Sequence, residues 1–190
     1  MKNVFIAMLL QTFAINGFAQ DTAAKVNTPE ACGVCHGADG NSPAGAFPNL
    51  AGQNARYLYL QLKDFKEGRR NDPLMSPIAK QLEKNEMQTL AKYFSEQKAK
   101  PISFKSDNAR AAAGKKIADD ALCPMCHLGG LVGQNEIPRV AGQHPDYVRK
   151  QLTDFRARTR TNDAGSMTAY SANLSDDDIE NLVHYIGTLN

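Results

Sequence analysis

Apolar residues recur at three- and four-residue intervals from Asn54 to Glu67 and again from Pro145 to Arg158, so each stretch predicts an amphipathic helix. Asn85 to Gln97 and Asp176 to Leu189 predict two further helices, the second preceded by Ser175 as N-cap and carrying acids in its first turn. An Ala-rich helix is predicted from Asn108 to Leu122. Nowhere does the chain sustain the two-residue alternation of a half-buried strand. The pattern is therefore all-α with little or no sheet.

These helices fall into two sets that are copies of each other. Ala51 to Phe65 aligns without gaps against Ala141 to Phe155, with eight of the fifteen positions identical. The closing helices align as well, with Met87 opposite Ile179, Leu90 opposite Leu182 and Tyr93 opposite Tyr185. A duplicated unit of this size predicts two tandem domains, over residues 20–100 and 107–190. Residues 101–106 form the linker between them, beginning at the helix-stopping Pro101.

Residues 1–19 are set apart from the fold. Lys2 precedes a mostly apolar run from Val4 to Ile15, and Gly17-Phe18-Ala19 has the small-x-small form of a cleavage site, so an export signal ending at Ala19 is expected. The run is short for a transmembrane helix, the alternative being an uncleaved membrane anchor.

All four cysteines of the 190-residue chain lie in Cys32-Gly33-Val34-Cys35-His36 and Cys123-Pro124-Met125-Cys126-His127, at an offset of 91 residues. On one helical turn residues i and i+3 share a face, so the two thiols can reach the two vinyl groups along one porphyrin edge while the next residue aims an imidazole at the iron. CxxCH is the attachment signature of c-type haem. A closed four-cysteine zinc site would need the two pairs much nearer in sequence, and a thioredoxin-like redox pair would need a βαβ setting. Two covalent haems are the expectation. Domains this small bury little surface unaided, and a large apolar macrocycle in each would supply the missing core.

An iron held by His36 or His127 has a sixth position. Met75 follows His36 by 39 residues and Met167 follows His127 by 40, and each is followed seven residues later by a leucine, Leu82 and Leu174. This recurrence in polar, loop-like surroundings selects both methionines as axial ligands, while Met87 reads as core because its counterpart is Ile179. Pro48 and Pro138 stand twelve and eleven residues after the histidines. A carbonyl near each would accept the imidazole's free N–H, the alternative being an ordinary loop proline.

Charge changes the picture little. From Gln20 to Ser106 there are twelve bases against nine acids, and from Asp107 onward nine against eleven, so nothing points to nucleic acid. Lys63, Lys66, Arg69 and Arg70, like Arg149, Lys150, Arg156, Arg158 and Arg160, read as a solvated face.

With Phe47-Pro48-Asn49-Leu50-Ala51-Gly52-Gln53, Gln151-Leu152-Thr153-Asp154-Phe155 and Thr161-Asn162-Asp163 beside the two CxxCH units, nearly all of the chain after residue 19 resembles the dihaem cytochrome c4 family. The resemblance implies two tandem class I cytochrome c-like domains. By position, it implies Cys32, Cys35, Cys123 and Cys126 as the covalent haem attachments, and His36, Met75, His127 and Met167 as the axial ligands. It also implies a periplasmic carrier of single electrons, often loosely membrane-associated, with redox proteins such as a terminal oxidase as partners and no small-molecule substrate. Two other readings stay open at this stage. One is a small dihaem peroxidase or haem-based sensor with one open iron, and the other a subunit tethered to a larger dehydrogenase.

Overall fold

The computed structural model describes residues 26–189, so the expected export signal at 1–19 lies outside the described residues. The first half contains α1 (Pro29–His36), α2 (Ala55–Glu67), α3 (Met75–Lys80) and α4 (Lys84–Ser95). The second contains α5 (Asn108–Asp120), α6 (Cys123–His127), a 3-10 turn at Gly129–Leu131, α7 (Pro145–Arg156), α8 (Ser166–Ser171) and α9 (Asp176–Ile186). Among the described residues the one β-type contact is an isolated antiparallel bridge between Gln134 and Ile137. The all-α expectation holds.

Each half has its own core because each closing helix carries a complete apolar stripe. On α4, Met87, Leu90, Ala91 and Phe94 lie at i, i+3, i+4 and i+7 and pack with Leu58 of α2 and Leu82. The matching stripe of Ile179, Val183 and Ile186 on α9 packs with Val148 of α7 and Leu131. Burying each of the larger side chains, Met, Leu, Ile, Val and Phe, contributes about 1.5–3 kcal/mol. Met87 is 4 % exposed, as a core residue should be. The helix starts follow their caps: Ser175 accepts from Asp178 N at 3.1 Å while Asp178 accepts from Ser175 N at 2.9 Å.

The Ala-rich helix ends at Asp120, two residues earlier than the periodicity suggests. Leu122 takes a left-handed conformation (φ 56°), which breaks the helix and lets Pro124 help start α6 on a new axis. α5 crosses α9 so tightly that a Cβ on Gly114 would lie 1.9 Å from the Asn181 carbonyl oxygen. No helix of the described residues is long and apolar enough to cross a membrane.

The halves meet across a polar seam that repeats when they are exchanged. Arg70 donates to Gln61 Oε1 in its own half, and to Tyr147 Oη at 2.9 Å and Gln151 Oε1 at 2.8 Å in the other. Arg160 donates to Gln151 in its own half, and to Tyr57 Oη at 3.2 Å and Gln61 Oε1 at 3.1 Å across the seam. Each guanidinium lies over its own half's phenyl ring, Arg70 4.6 Å from the Phe65 centroid and Arg160 4.4 Å from that of Phe155. This corrects the solvated reading of these two arginines, which are both 8 % exposed. Their cover comes from the opposite half, which no local pattern could reveal. Arg69, by contrast, remains about half exposed on an ion pair with Asp64.

Candidate haem centres

Both histidines end a short helix whose preceding turn carries the cysteines. In α1, Thr28 caps the N-terminus through Ala31 N at 3.3 Å, Pro29 opens the first turn, and Cys32, Cys35 and His36 share the last turn. α6 is barely more than one turn, with Cys123, Cys126 and His127 in the same relation. All four thiols are free. Burial pushes the Cys32 thiol up to about 11 and raises Cys123 as well. Val34 and Met125, the residues inside each attachment turn, are 84 % and 71 % exposed, so both turns present one side to solvent.

Each imidazole is buried and oriented by a main-chain carbonyl. His36 Nδ1 lies 2.9 Å from the Pro48 oxygen and His127 Nδ1 2.8 Å from the Pro138 oxygen. Burial lowers both imidazoles below their ordinary value, and the carbonyl bond works the other way. A neutral ring whose Nδ1–H donates to a carbonyl has its Nε2 lone pair left for a metal. Of the two sequence readings of these prolines, the hydrogen-bonding one is correct.

The loops that carry the prolines keep one shape on different residues. The Gly40 carbonyl accepts from Leu50 N and Ala51 N, and the Leu131 carbonyl accepts from Val140 N and Ala141 N. Both residues are left-handed, Gly40 at φ 76° and Leu131 at φ 54°. For leucine that costs about 1–2 kcal/mol, a cost offset by its side chain, which is only 2 % exposed in the second core.

Met75 and Met167 sit in short helices rather than in loops. Met75 opens α3, where Asp72 Oδ1 accepts from both Leu74 N and Met75 N at 2.9 Å. Met167 is the second residue of α8, where Gly165 turns left-handed and Asp163 accepts from Thr168 N at 2.6 Å. Six residues are too few for periodicity to show, and the aspartate-led turns before them are what read as loop. Both methionines are half-buried and belong to neither core cluster, unlike Met87.

The donor set fits two haems: a pair of free thiols, a neutral imidazole with Nε2 available, and a thioether outside the packed core, in each half. Sequence reasoning missed Gln53 and Gln143, which it read only as part of a repeated turn. Both are buried and reach across the seam, Gln53 to the Arg139 carbonyl and Gln143 to the Asn49 carbonyl. Their signal was the repeat of Ala-Gly-Gln at the same offset as Arg70 and Arg160.

Two helical domains in tandem, each with CxxCH and a carbonyl-oriented imidazole, define a duplicated c-type cytochrome carrying two covalent haems. The cytochrome c family profile matches residues 21–102 and again 111–190. Cytochrome c4 of Pseudomonas aeruginosa is 40 % identical over 97 % of this chain and 98 % of its own. The crystal structure of reduced recombinant cytochrome c4 from Pseudomonas stutzeri superposes with a TM-score of 0.78 at 40 % identity, covering 84 % of this chain and 93 % of that one. A thiosulfate dehydrogenase electron acceptor from Stutzerimonas stutzeri is 34 % identical over 84 % of this chain and 79 % of its own. The chain belongs to the cytochrome c4 family and is a dihaem electron carrier.

Proposed function

We propose that Cys32 and Cys35 hold one haem and Cys123 and Cys126 the other, with His36 and Met75 binding the first iron and His127 and Met167 the second. The domains are residues 20–100 and 107–190, joined by 101–106. The observation that carries the ligand assignment is the pair of Nδ1-to-carbonyl bonds, 2.9 Å at His36 and 2.8 Å at His127, which leave Nε2 of each ring free. A haem bound by histidine and methionine supplies a one-electron couple of raised potential and has no open position for substrate. That favours carriage over a peroxidase or a gas sensor. The chain's own part is to hold each imidazole at a fixed tautomer and to keep the attachment turns, with Val34 and Met125, at the surface where a partner's cofactor can approach.

The protein acts in the periplasm, passing electrons toward a terminal oxidase or another respiratory partner. Export is supported by the charged, apolar and small-residue pattern of residues 1–19. A second reading, acceptance of electrons from a thiosulfate dehydrogenase, is favoured by the relative of that name.

The test is an intact mass and a reduced-minus-oxidised spectrum of the exported protein. Two covalent haems, a mature start at Gln20 and poor binding of carbon monoxide are expected. Ready carbon monoxide binding by either haem would overturn the ligand assignment. Reduction by thiosulfate dehydrogenase but not by a quinol-oxidising donor would favour the second partner.

A further inference from the structure

The Pro48 carbonyl and the Asn49 N–H are two ends of one peptide group. Its carbonyl accepts from His36 Nδ1, and its N–H donates to Gln143 Oε1, in the other half, at 2.8 Å. The second centre repeats this: the Pro138 carbonyl accepts from His127, and Arg139 N–H donates to Gln53 Oε1 at 2.8 Å. Each glutamine also returns an N–H to the carbonyl of the residue it grips, Gln143 Nε2 to Asn49 O at 3.0 Å and Gln53 Nε2 to Arg139 O at 2.7 Å. Each Oε1 accepts a further N–H from its own chain, of His144 at 3.0 Å and of Asn54 at 2.9 Å. The amide orientation is thereby determined, because a rotated amide would set its NH2 against two N–H donors. Gln53 is 6 % and Gln143 7 % exposed, so water does not compete strongly for these bonds.

We propose that Gln143 and Gln53 are crossed positioning residues, each polarising from one domain the peptide that orients the proximal histidine of the other. An acceptor on the peptide N–H pushes electron density toward the carbonyl oxygen, which then accepts more strongly from the imidazole. The imidazole becomes a better donor, and a better donor stabilises ferric over ferrous iron and lowers the potential. Each iron's potential is therefore set partly by a side chain of the opposite half. Both potentials thus depend on the seam being closed. The inference rests on His36 and His127 being the iron ligands proposed above.

The experiment is a spectroelectrochemical titration of the intact dihaem protein, with each haem followed by its assigned NMR resonances and each histidine by its Nδ1–H shift. Gln143→Met is expected to raise the first haem's potential, changing its oxidised-to-reduced ratio about two- to threefold at fixed ambient potential, with the second haem unmoved. Gln53→Met should do the converse. Gln143→Glu keeps the acceptor and adds negative charge, so it should move the first haem's potential downward. Arg56→Gln removes an exposed cross-domain ion pair with Glu136 at 3.2 Å and should move neither. Shifts of the same-half haem, equal shifts of both, or no shift, in proteins that keep a histidine–methionine spectrum, would overturn the inference alone. A wild-type protein whose His36 and His127 resonances show no ligation to iron would overturn the ligand assignment and the inference with it.

Discussion

Gln61→Met tests the seam at its most heavily used acceptor. Gln61 Oε1 accepts from Arg70 Nη1 at 2.9 Å, Arg160 Nη2 at 3.1 Å and Asn162 Nδ2 at 3.0 Å. Methionine keeps the length of the side chain and removes the oxygen. Two of the lost bonds come from guanidinium groups, each worth about 1.5–3 kcal/mol, and one from a neutral amide, worth about 1 kcal/mol. The arginines keep Gln151 and the tyrosines, and Asn162 keeps Asp64 at 2.6 Å, so the net cost should be about 2–4 kcal/mol rather than the full sum. Denaturant unfolding of the haem-loaded protein, read by helix circular dichroism and haem absorbance, measures it. The cycle with Arg160→Met isolates the cross-domain part, expected at about 0.5–3 kcal/mol of coupling. A Gln61→Met protein within about 0.5 kcal/mol of wild type, the range of an ordinary surface change, would refute the account of the seam.

Met75→Ala should abolish the methionine-to-iron charge-transfer absorption of the first haem, lower its potential and admit external ligands. Met87→Ala should instead cost about 2–5 kcal/mol in unfolding experiments and spare the spectrum, because Met87 packs in the first core. Gly114→Ala drives a Cβ into the backbone of α9, so the second domain should lose at least about 1–3 kcal/mol while the first haem's environment is unchanged by NMR. Asp39 accepts from Lys100 Nζ at 2.6 Å, and chiefly that bond holds its carboxyl at about 2, below the ordinary 3.8. A depressed folded value stabilises the fold above the unfolded one, so the advantage of wild type over Asp39→Asn should be complete above pH 3.8 and vanish as pH falls through about 2. The pair is solvent-screened, and acid titrations of both proteins should differ by under about 1 kcal/mol.

What could be read from the chain was what local pattern carries. The stripe of Met87, Leu90 and Phe94 betrays α4 because a core-facing helix must repeat every three or four residues. The pairing of Met87 with Ile179 marked Met87 as a packing residue, and it does pack in the first core. The illegible parts depend on the opposite half. Arg70 and Arg160 look like any basic residue after an amphipathic helix, and only the tyrosine, glutamine and phenyl partners bury them. Gln143 reaches a backbone 94 residues away and Gln53 one 86 away, beyond any window of periodicity. α3 and α8 escaped because six residues make too little of a repeat.

A seam in which Arg70 meets Tyr147 as Arg160 meets Tyr57 has the symmetry of an isologous dimer, in which one patch pairs with its own copy. Such a patch is self-complementary wherever it occurs. The chain is in this sense a homodimer whose two protomers have been tied end to end, and the segment between α4 and α5 is the tie. A covalent tie of a few residues replaces a concentration-dependent encounter with an effective local concentration of about millimolar. The two haem centres therefore stay paired at any dilution, in a stoichiometry that a freely associating single-domain carrier would lose as its concentration fell.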